Sequence, residues 1–193
     1  MQRFLSIVAP DVAENGAVVP LEVTASSPLV NGEKLYVIVN DEFVSHIVIP
    51  QGRIEVQKFS IRSRMPQTGY LRGIIIDKQN KIRAASKEVR VGVGAAMNSS
   101  EPGGSFSHKV RAVKNHSDAE IKFLINSPMS DVNYLKTMNI KYGDSGNVVI
   151  SLTTAASKNP FIGITTVAGD YSNYNLEFVL NTGQNLFYSG EFK

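Results

Sequence analysis

The stretch that decides the fold is Val19-Pro20-Leu21-Glu22-Val23-Thr24-Ala25-Ser26-Ser27-Pro28-Leu29. Offset by 100 residues, it lies over Ala119-Glu120-Ile121-Lys122-Phe123-Leu124-Ile125-Asn126-Ser127-Pro128-Met129. Both stretches have apolar residues at every second position, then the dipeptide Ser-Pro, then one large apolar residue. Alternation with period 2 is typical of a half-buried β-strand. We therefore predict two β-domains in tandem, of which the second is a diverged repeat of the first.

The repeat extends to both sides of these stretches. A polar turn precedes each strand, as Ala13-Glu14-Asn15-Gly16 in the first half and Lys114-Asn115-His116-Ser117 in the second. Downstream, residues 36–40 match residues 139–143 as a central strand. The same order of turn and strands in both halves predicts that the two domains share their early topology.

Strand signals dominate the rest of the chain, for example at residues 35–39, 44–49 and 73–76. Turn signals separate them, and Asn181-Thr182-Gly183-Gln184 predicts a hairpin. No stretch has a convincing helical period. We predict an all-β chain of two tandem immunoglobulin-like β-sandwich domains, residues 1–96 and 106–193. The polar, Gly- and Pro-rich stretch 97–105 is the predicted linker.

Composition excludes several classes of function. The chain has no cysteine, which rules out disulfides, thiolate zinc sites, iron–sulfur clusters and a cysteine nucleophile. No apolar run reaches the roughly 20 residues that a membrane span needs. The net charge is +3, with its excess between Arg53 and Arg90. Two interpretations explain this excess: charged residues at solvent-facing strand positions, or a basic face for an acidic partner. Nucleic-acid binders have denser basic stripes.

Side chains that could carry chemistry are sparse. The only histidines, His46, His108 and His116, lack the spacing of metal ligands, and we expect His108 and His116 to lie in or near polar connections. No Gly-x-Ser-x-Gly motif is present. Gly92-Val93-Gly94 follows a strand, but no helix signal comes after it, as a phosphate-binding loop would require. We expect no enzyme activity, no cofactor and no metal.

Two motifs resemble known subunits. Ala9-Pro10-Asp11-Val12-Ala13-Glu14-Asn15-Gly16-Ala17-Val18-Val19-Pro20 is similar to the opening of the SoxY subunit of the bacterial SoxYZ sulfur-carrier complex. Ile125-Asn126-Ser127-Pro128-Met129 and Ser157-Lys158-Asn159-Pro160-Phe161-Ile162-Gly163 resemble the SoxZ subunit. The resemblance implies a SoxY–SoxZ fusion whose two sandwiches pack on each other as the separate subunits do. It also implies a periplasmic location, with any signal peptide already removed.

The sequence departs from this family where its chemistry lies. SoxY ends in a flexible Gly-Gly-Cys-Gly-Gly arm, and its cysteine carries the sulfur substrate. Aligning Gly94 with the first arm glycine makes Gly92, Gly94, Ala95 and Ala96 a degenerate carrier arm, with Ala96 at the cysteine position. Thiol-based carriage requires a thiolate, so this chain cannot perform it. Whether Ala96 is native or engineered stays open at this point.

The SoxZ-like Lys158-Asn159-Pro160-Phe161 allows two interpretations. In one it is a rigid turn, in which Pro160 fixes φ and Phe161 re-enters the core. In the other it contacts a partner, because this region lies near the protein-contact surface in the family. The expected partner is a sulfur-oxidation or quinoprotein dehydrogenase component.

The leading hypothesis is therefore a non-catalytic, SoxYZ-like binding protein that lacks the carrier cysteine and docks to a partner enzyme. The alternative is a structural or adhesion module of tandem immunoglobulin-like domains. The sequence leaves the oligomeric state open.

Overall fold

The computed structural model describes residues 4–96 and 105–193, and this part of the chain contains strands and no helix. It accordingly has no helix that could cross a membrane. The strands are β1 Leu5–Val8, β2 Val12–Asn15, β3 Val19–Leu29, β4 Lys34–Val39, β5 Glu42–Gly52, β6 Val56–Ser63, β7 Gly69–Ile76, β8 Ile82–Val93, β9 Ser107–Lys114, β10 Asp118–Asn126, β11 Leu135–Tyr142, β12 Gly146–Leu152, β13 Phe161–Val167, β14 Asn173–Leu180 and β15 Asn185–Glu191. The all-β prediction is confirmed.

The strands form two sheets that enclose one continuous core. The smaller sheet has six strands in the order β1-β3-β6-β13-β10-β9, and the larger has nine in the order β15-β14-β11-β12-β5-β4-β7-β8-β2. Each half of the chain contributes strands to both sheets. Alternating residues face the core, whose largest buried aromatic side chains are Tyr142, Phe59, Phe123 and Phe178. These rings fill the interior of a sandwich that has no tryptophan.

The strand order is nearly the same when each sheet is followed from its centre outwards. In the smaller sheet, β6 then β3 then β1 on one side mirrors β13 then β10 then β9 on the other. In the larger sheet, β5, β4, β7 and β8 mirror β12, β11, β14 and β15. The two halves are thus related by an approximate two-fold axis between the central strands, as expected for an internal repeat.

Burial confirms the repeat residue by residue. Every second residue from Val19 to Ala25 in β3, and from Ala119 to Ile125 in β10, is buried in the core. The large apolar residues that follow Ser-Pro, Leu29 and Met129, are buried at 1% and 0% exposure. Asn40 and Gly143, which end the matched central strands, have φ of 52° and 49°. The hairpin predicted at residues 181–184 joins β14 to β15, with Gly183 at a φ of 88°.

The halves join edge to edge, and this differs from the expected packing of one sandwich on another. β6 pairs antiparallel with β13, and β5 pairs antiparallel with β12, so both sheets run across the junction. The boundaries at residues 96 and 106 stay a prediction. Of the predicted linker, residues 97–104 lie outside the described residues.

A buried arginine reinforces the junction. Arg64 follows β6, and only 6% of it is exposed. Its guanidinium donates to the carbonyl oxygens of Thr154 at 3.1 Å and Pro128 at 3.2 Å, both in the second half. Its backbone N–H donates to the Ala155 carbonyl at 2.8 Å. Hydrogen bonds from a buried charge are stronger than neutral ones, so Arg64 acts as a clamp between the halves.

We predict that Arg64→Met lowers the free energy of unfolding by about 2–4 kcal/mol, because two buried carbonyls lose a charged donor. Urea denaturation monitored by circular dichroism measures the change. Arg53→Met, at an exposed loop position, is the matched control and should leave stability nearly unchanged. Equal stability of the two variants would show that Arg64 does not hold the halves together.

Candidate functional site

The segment predicted to be a degenerate carrier arm is held by backbone hydrogen bonds at the end of β8. Gly16 N–H donates to the Val93 carbonyl at 2.8 Å, and Ala95 N–H donates to the Met65 carbonyl at 2.9 Å. Met65 N–H in turn donates to the Gly16 carbonyl at 2.7 Å. These three bonds tie the segment after β8 to two other loops of the same half. The arm is therefore anchored through Ala95.

Glycine allows this anchoring because the backbones approach very closely. A Cβ atom on Gly94 would lie 1.8 Å from the Pro66 carbonyl oxygen. One on Gly16 would lie 2.2 Å from the Met65 carbonyl oxygen. At Gly92 the corresponding distance, to the Glu14 carbonyl oxygen, is 3.1 Å. Positions 16 and 94 thus require glycine, because any Cβ atom there would collide with neighbouring backbone.

Ala96 is exposed to solvent directly after the anchored segment. Its methyl group offers no nucleophile, no acid or base and no metal ligand. The position that the resemblance assigns to the carrier cysteine is therefore accessible but chemically inert.

The segment Lys158-Asn159-Pro160 forms a rigid turn before β13. Asn159 has a φ of 50°, its N–H donates to the Ser127 carbonyl at 2.8 Å, and its Oδ1 accepts from Ser127 N–H at 3.0 Å. The Pro160 carbonyl accepts from Ile125 N–H at 3.1 Å. The turn is thus bonded to the end of β10 and the Ser-Pro stretch that follows it.

The expectation that Phe161 re-enters the core is wrong. Phe161 is only half-buried and lies on the outer face of the six-stranded sheet, where the Arg62 guanidinium sits 5.3 Å from its ring centroid. The next residue, Ile162, points into the core instead. Because side chains alternate along a strand, the turn sets the phase of β13 one residue later than the sequence suggested.

The arm and the turn lie at the same end of the shared sheets. Residues 62–65 connect them: Met65 accepts from Ala95, and the Arg62 carbonyl accepts from Ser157 N–H at 3.0 Å, next to Lys158. The loop at residues 62–65 thus links the two segments that were predicted from the sequence.

Two histidines are packed among aromatic rings. His46 stacks on Tyr36 with ring centroids 4.5 Å apart, and burial lowers its pKa. His108 lies within β9, with its ring 3.9 Å from that of Tyr188 and 5.0 Å from that of Phe178, and burial lowers its pKa as well. His108 thus lies near the predicted linker but inside a strand, with its ring packed on aromatic side chains. Across residues 4–96 and 105–193, no three histidine or acidic side chains are grouped to hold a metal ion.

A groove that the sequence did not predict lies beside Phe161. It lies on the outer face of the six-stranded sheet, with a volume of about 540 Å³. Its lining includes Val8, Pro20, Ser60, Arg62 and Phe161. The alternation of side chains along each strand predicts that several of these residues point away from the core. Phe161 joins the others only through the pairing of β6 with β13, for which the sequence carries no local signal.

One protein-family model matches the first half of the chain. Residues 2–95 match the family model described as sulfur oxidation protein SoxY. The first half is thus similar to a sulfur-oxidation carrier protein, in agreement with the resemblance seen in its opening motif. A search of curated proteins found no match. The matched region ends at Ala95, directly before Ala96.

We predict that Gly94→Ala destabilises the protein by about 1–3 kcal/mol, because its Cβ would collide with backbone. Gly92→Ala is the matched control and should cost less than about 1 kcal/mol, since its Cβ contact is only slightly too close. Chemical denaturation measures both effects. Amide hydrogen exchange at Ala95 should accelerate in the Gly94 variant alone. Fast exchange at Ala95 in the wild-type protein would contradict an anchored arm.

Proposed function

We propose that this chain is a non-catalytic, SoxYZ-like binding protein of sulfur-compound oxidation that acts in the periplasm by docking to a partner enzyme. One observation carries the proposal: a SoxY match that covers residues 2–95 in a chain without cysteine. The match supports a role beside sulfur-oxidation proteins. The missing thiol supports a role other than covalent carriage.

The second half supports the interpretation as a fusion. It repeats the strand order of the SoxY-like half and continues both of its sheets. We infer that residues 106–193 take the place of a separate SoxZ-like subunit. The buried Arg64 clamp and the pairing of β6 with β13 would make this association permanent.

The anchored arm is a second argument against sulfur carriage. A carrier arm must move its cargo between enzymes, which requires a free and flexible segment. Here the backbone is bonded as far as Ala95, and Gly94 packs on Pro66. The segment therefore resembles a structural element more than a swinging arm.

The surfaces of the sandwich are then the functional part of the molecule. The turn at residues 158–160 and Phe161 present a rigid feature at one end of the shared sheets. We propose that this end contacts a sulfur-oxidation or quinoprotein dehydrogenase component. A rigid turn of this kind costs little entropy on binding, which favours a docking role.

We expect no covalent adduct when the protein is incubated with thiosulfate under oxidising conditions, because no residue can form a sulfur–sulfur bond. Intact mass spectrometry measures the result. The Ala96→Cys variant is the positive control: its exposed thiol should add one carbamidomethyl group with iodoacetamide. An increase by the mass of a thiosulfate-derived group in the unmodified protein would falsify the proposed loss of carriage.

We further expect affinity capture from the periplasm of the source cells to recover a sulfur-oxidation or quinoprotein dehydrogenase component. Mass spectrometry of the captured proteins identifies it. The control is bait unfolded in urea and coupled in the same amount. Recovery of only the chain itself, in self-associated form, would contradict docking and support a structural module.

A further inference from the structure

The outer face of the six-stranded sheet is built differently in its two halves. β1 stops at Val8, which pairs with Glu22 of β3. Its counterpart β9 continues along β10 as far as Lys114, opposite Ala119. Residues 19–21 of β3 therefore lack the neighbouring strand that their counterparts have. The groove beside Phe161 opens at this uncovered edge.

The groove has mostly apolar walls, to which Glu22 and Arg62 add one charge of each sign. Pro20 stands opposite Arg62, and Phe161 stands opposite Leu124, so one row of large side chains crosses the sheet. The floor includes the small residue Ser60, and Gly163 lies beside the groove, opposite Ser60 in the pair β6–β13. A Cβ on Gly163 would come no closer than 3.4 Å to the Ser60 side chain. A small apolar side chain of another molecule can therefore enter here.

Apolar atoms remain exposed around this groove. Val8 is 63% exposed and Leu124 is 47% exposed on the same face. An exposed apolar patch with polar surroundings is typical of an interaction site. Pro20 has no backbone N–H to give to an added strand, and proline at an edge opposes strand addition. Side chains, and not a new strand, would have to fill the groove.

The charges around the groove define its partner. Glu22 is paired with Lys58 at 3.2 Å, and Glu120 with Lys122 at 2.8 Å. The remaining cations of this face are Arg62, Lys109 and Arg111, and none has a carboxylate within salt-bridge distance among the described residues. Lys109 and Arg111 lie on β9 opposite Leu124 and Lys122. Arg62 and Lys109 in one row across the sheet, and Arg111 in the next row, are therefore three cations without a paired carboxylate in the described part of the chain.

We propose that this face binds an acidic segment of a protein partner, with one apolar side chain in the groove and carboxylates opposite Arg62, Lys109 and Arg111. The proposal rests on the proposed docking function and specifies its surface and the chemistry of the partner. Charge complementarity favours an acidic protein over a second copy, because two copies of this face would place like charges opposite each other.

The test uses a synthetic peptide, acetyl-Asp-Glu-Asp-Leu-Asp-Glu-Asp-amide, titrated into the isotope-labelled full chain at low salt. We expect amide shift changes at Ser60, Arg62, Phe161 and Gly163. A peptide with Ser in place of Leu should bind at least threefold more weakly. A peptide with Asn and Gln in place of the acids should not bind measurably, since screened charge attraction supplies most of the affinity.

Variants of the protein make the test specific. Lys109→Glu with Arg111→Glu should weaken binding of the acidic peptide at least fivefold. Lys136→Glu with Lys141→Glu changes the net charge equally on exposed positions of the other sheet and should leave binding nearly unchanged. Ser60→Leu, which fills the floor, should abolish the preference for Leu over Ser. Circular dichroism confirms that each variant is folded.

Three outcomes would overturn the proposal: shift changes confined to the nine-stranded sheet, equal weakening by the two charge variants, or tighter binding to phosphatidylglycerol vesicles than to the peptide. None of them would affect the capture of a sulfur-oxidation partner. Failure of that capture, with peptide binding intact, would instead overturn the proposed function and leave the surface in place.

Discussion

The antiparallel pairing of β6 with β13 and of β5 with β12 is the constraint on which the rest of the structure depends. These strands would be sheet edges in two separate domains, and exposed edges promote unwanted association. Pairing them covers two edges from each half and forms one continuous core. It also fixes the approximate two-fold axis, which passes through the pair Ser60 and Gly163 next to the groove. The surface that we assign to docking therefore exists only in the joined molecule.

Sequence patterns predicted the elements well and their assembly poorly. The alternation from Val19 and from Ala119 gave two β-strands with the correct faces, because a period of 2 reports directly which side chains are buried. Pairing between β6 and β13 joins residues about 100 positions apart, and no local pattern encodes it. The error at Phe161 also comes from a structural feature that the residue types do not reveal, here a backbone angle. The left-handed Asn159 sets the phase of β13, and the sequence shows an asparagine there without showing its φ.

The sequence shows which chemical groups the predicted arm has, and only the structure shows how the arm is held. The lack of cysteine follows from the sequence alone, and so does the inert Ala96. The sequence also contains Gly92 and Gly94, which fitted a flexible arm. Glycine is compatible with two opposite roles, since it gives freedom to an unpacked chain and permits close contact in a packed one. Only the positions of Pro66 and Met65 show that the second role applies here.

The proposed docking role and the joined halves are compatible physically. A carrier whose cysteine visits several enzymes needs a mobile end, whereas a docking protein needs a rigid surface. Anchoring residues 94–95 to the loop at Met65 removes the mobile end, and the same loop continues into Arg64, which clamps the second half. One short segment, Arg64-Met65, therefore links the anchored residues 94–95 to the joined sheets. A cysteine placed at Ala96 would supply a nucleophile, but the segment directly before it would stay bonded to the loop at Met65.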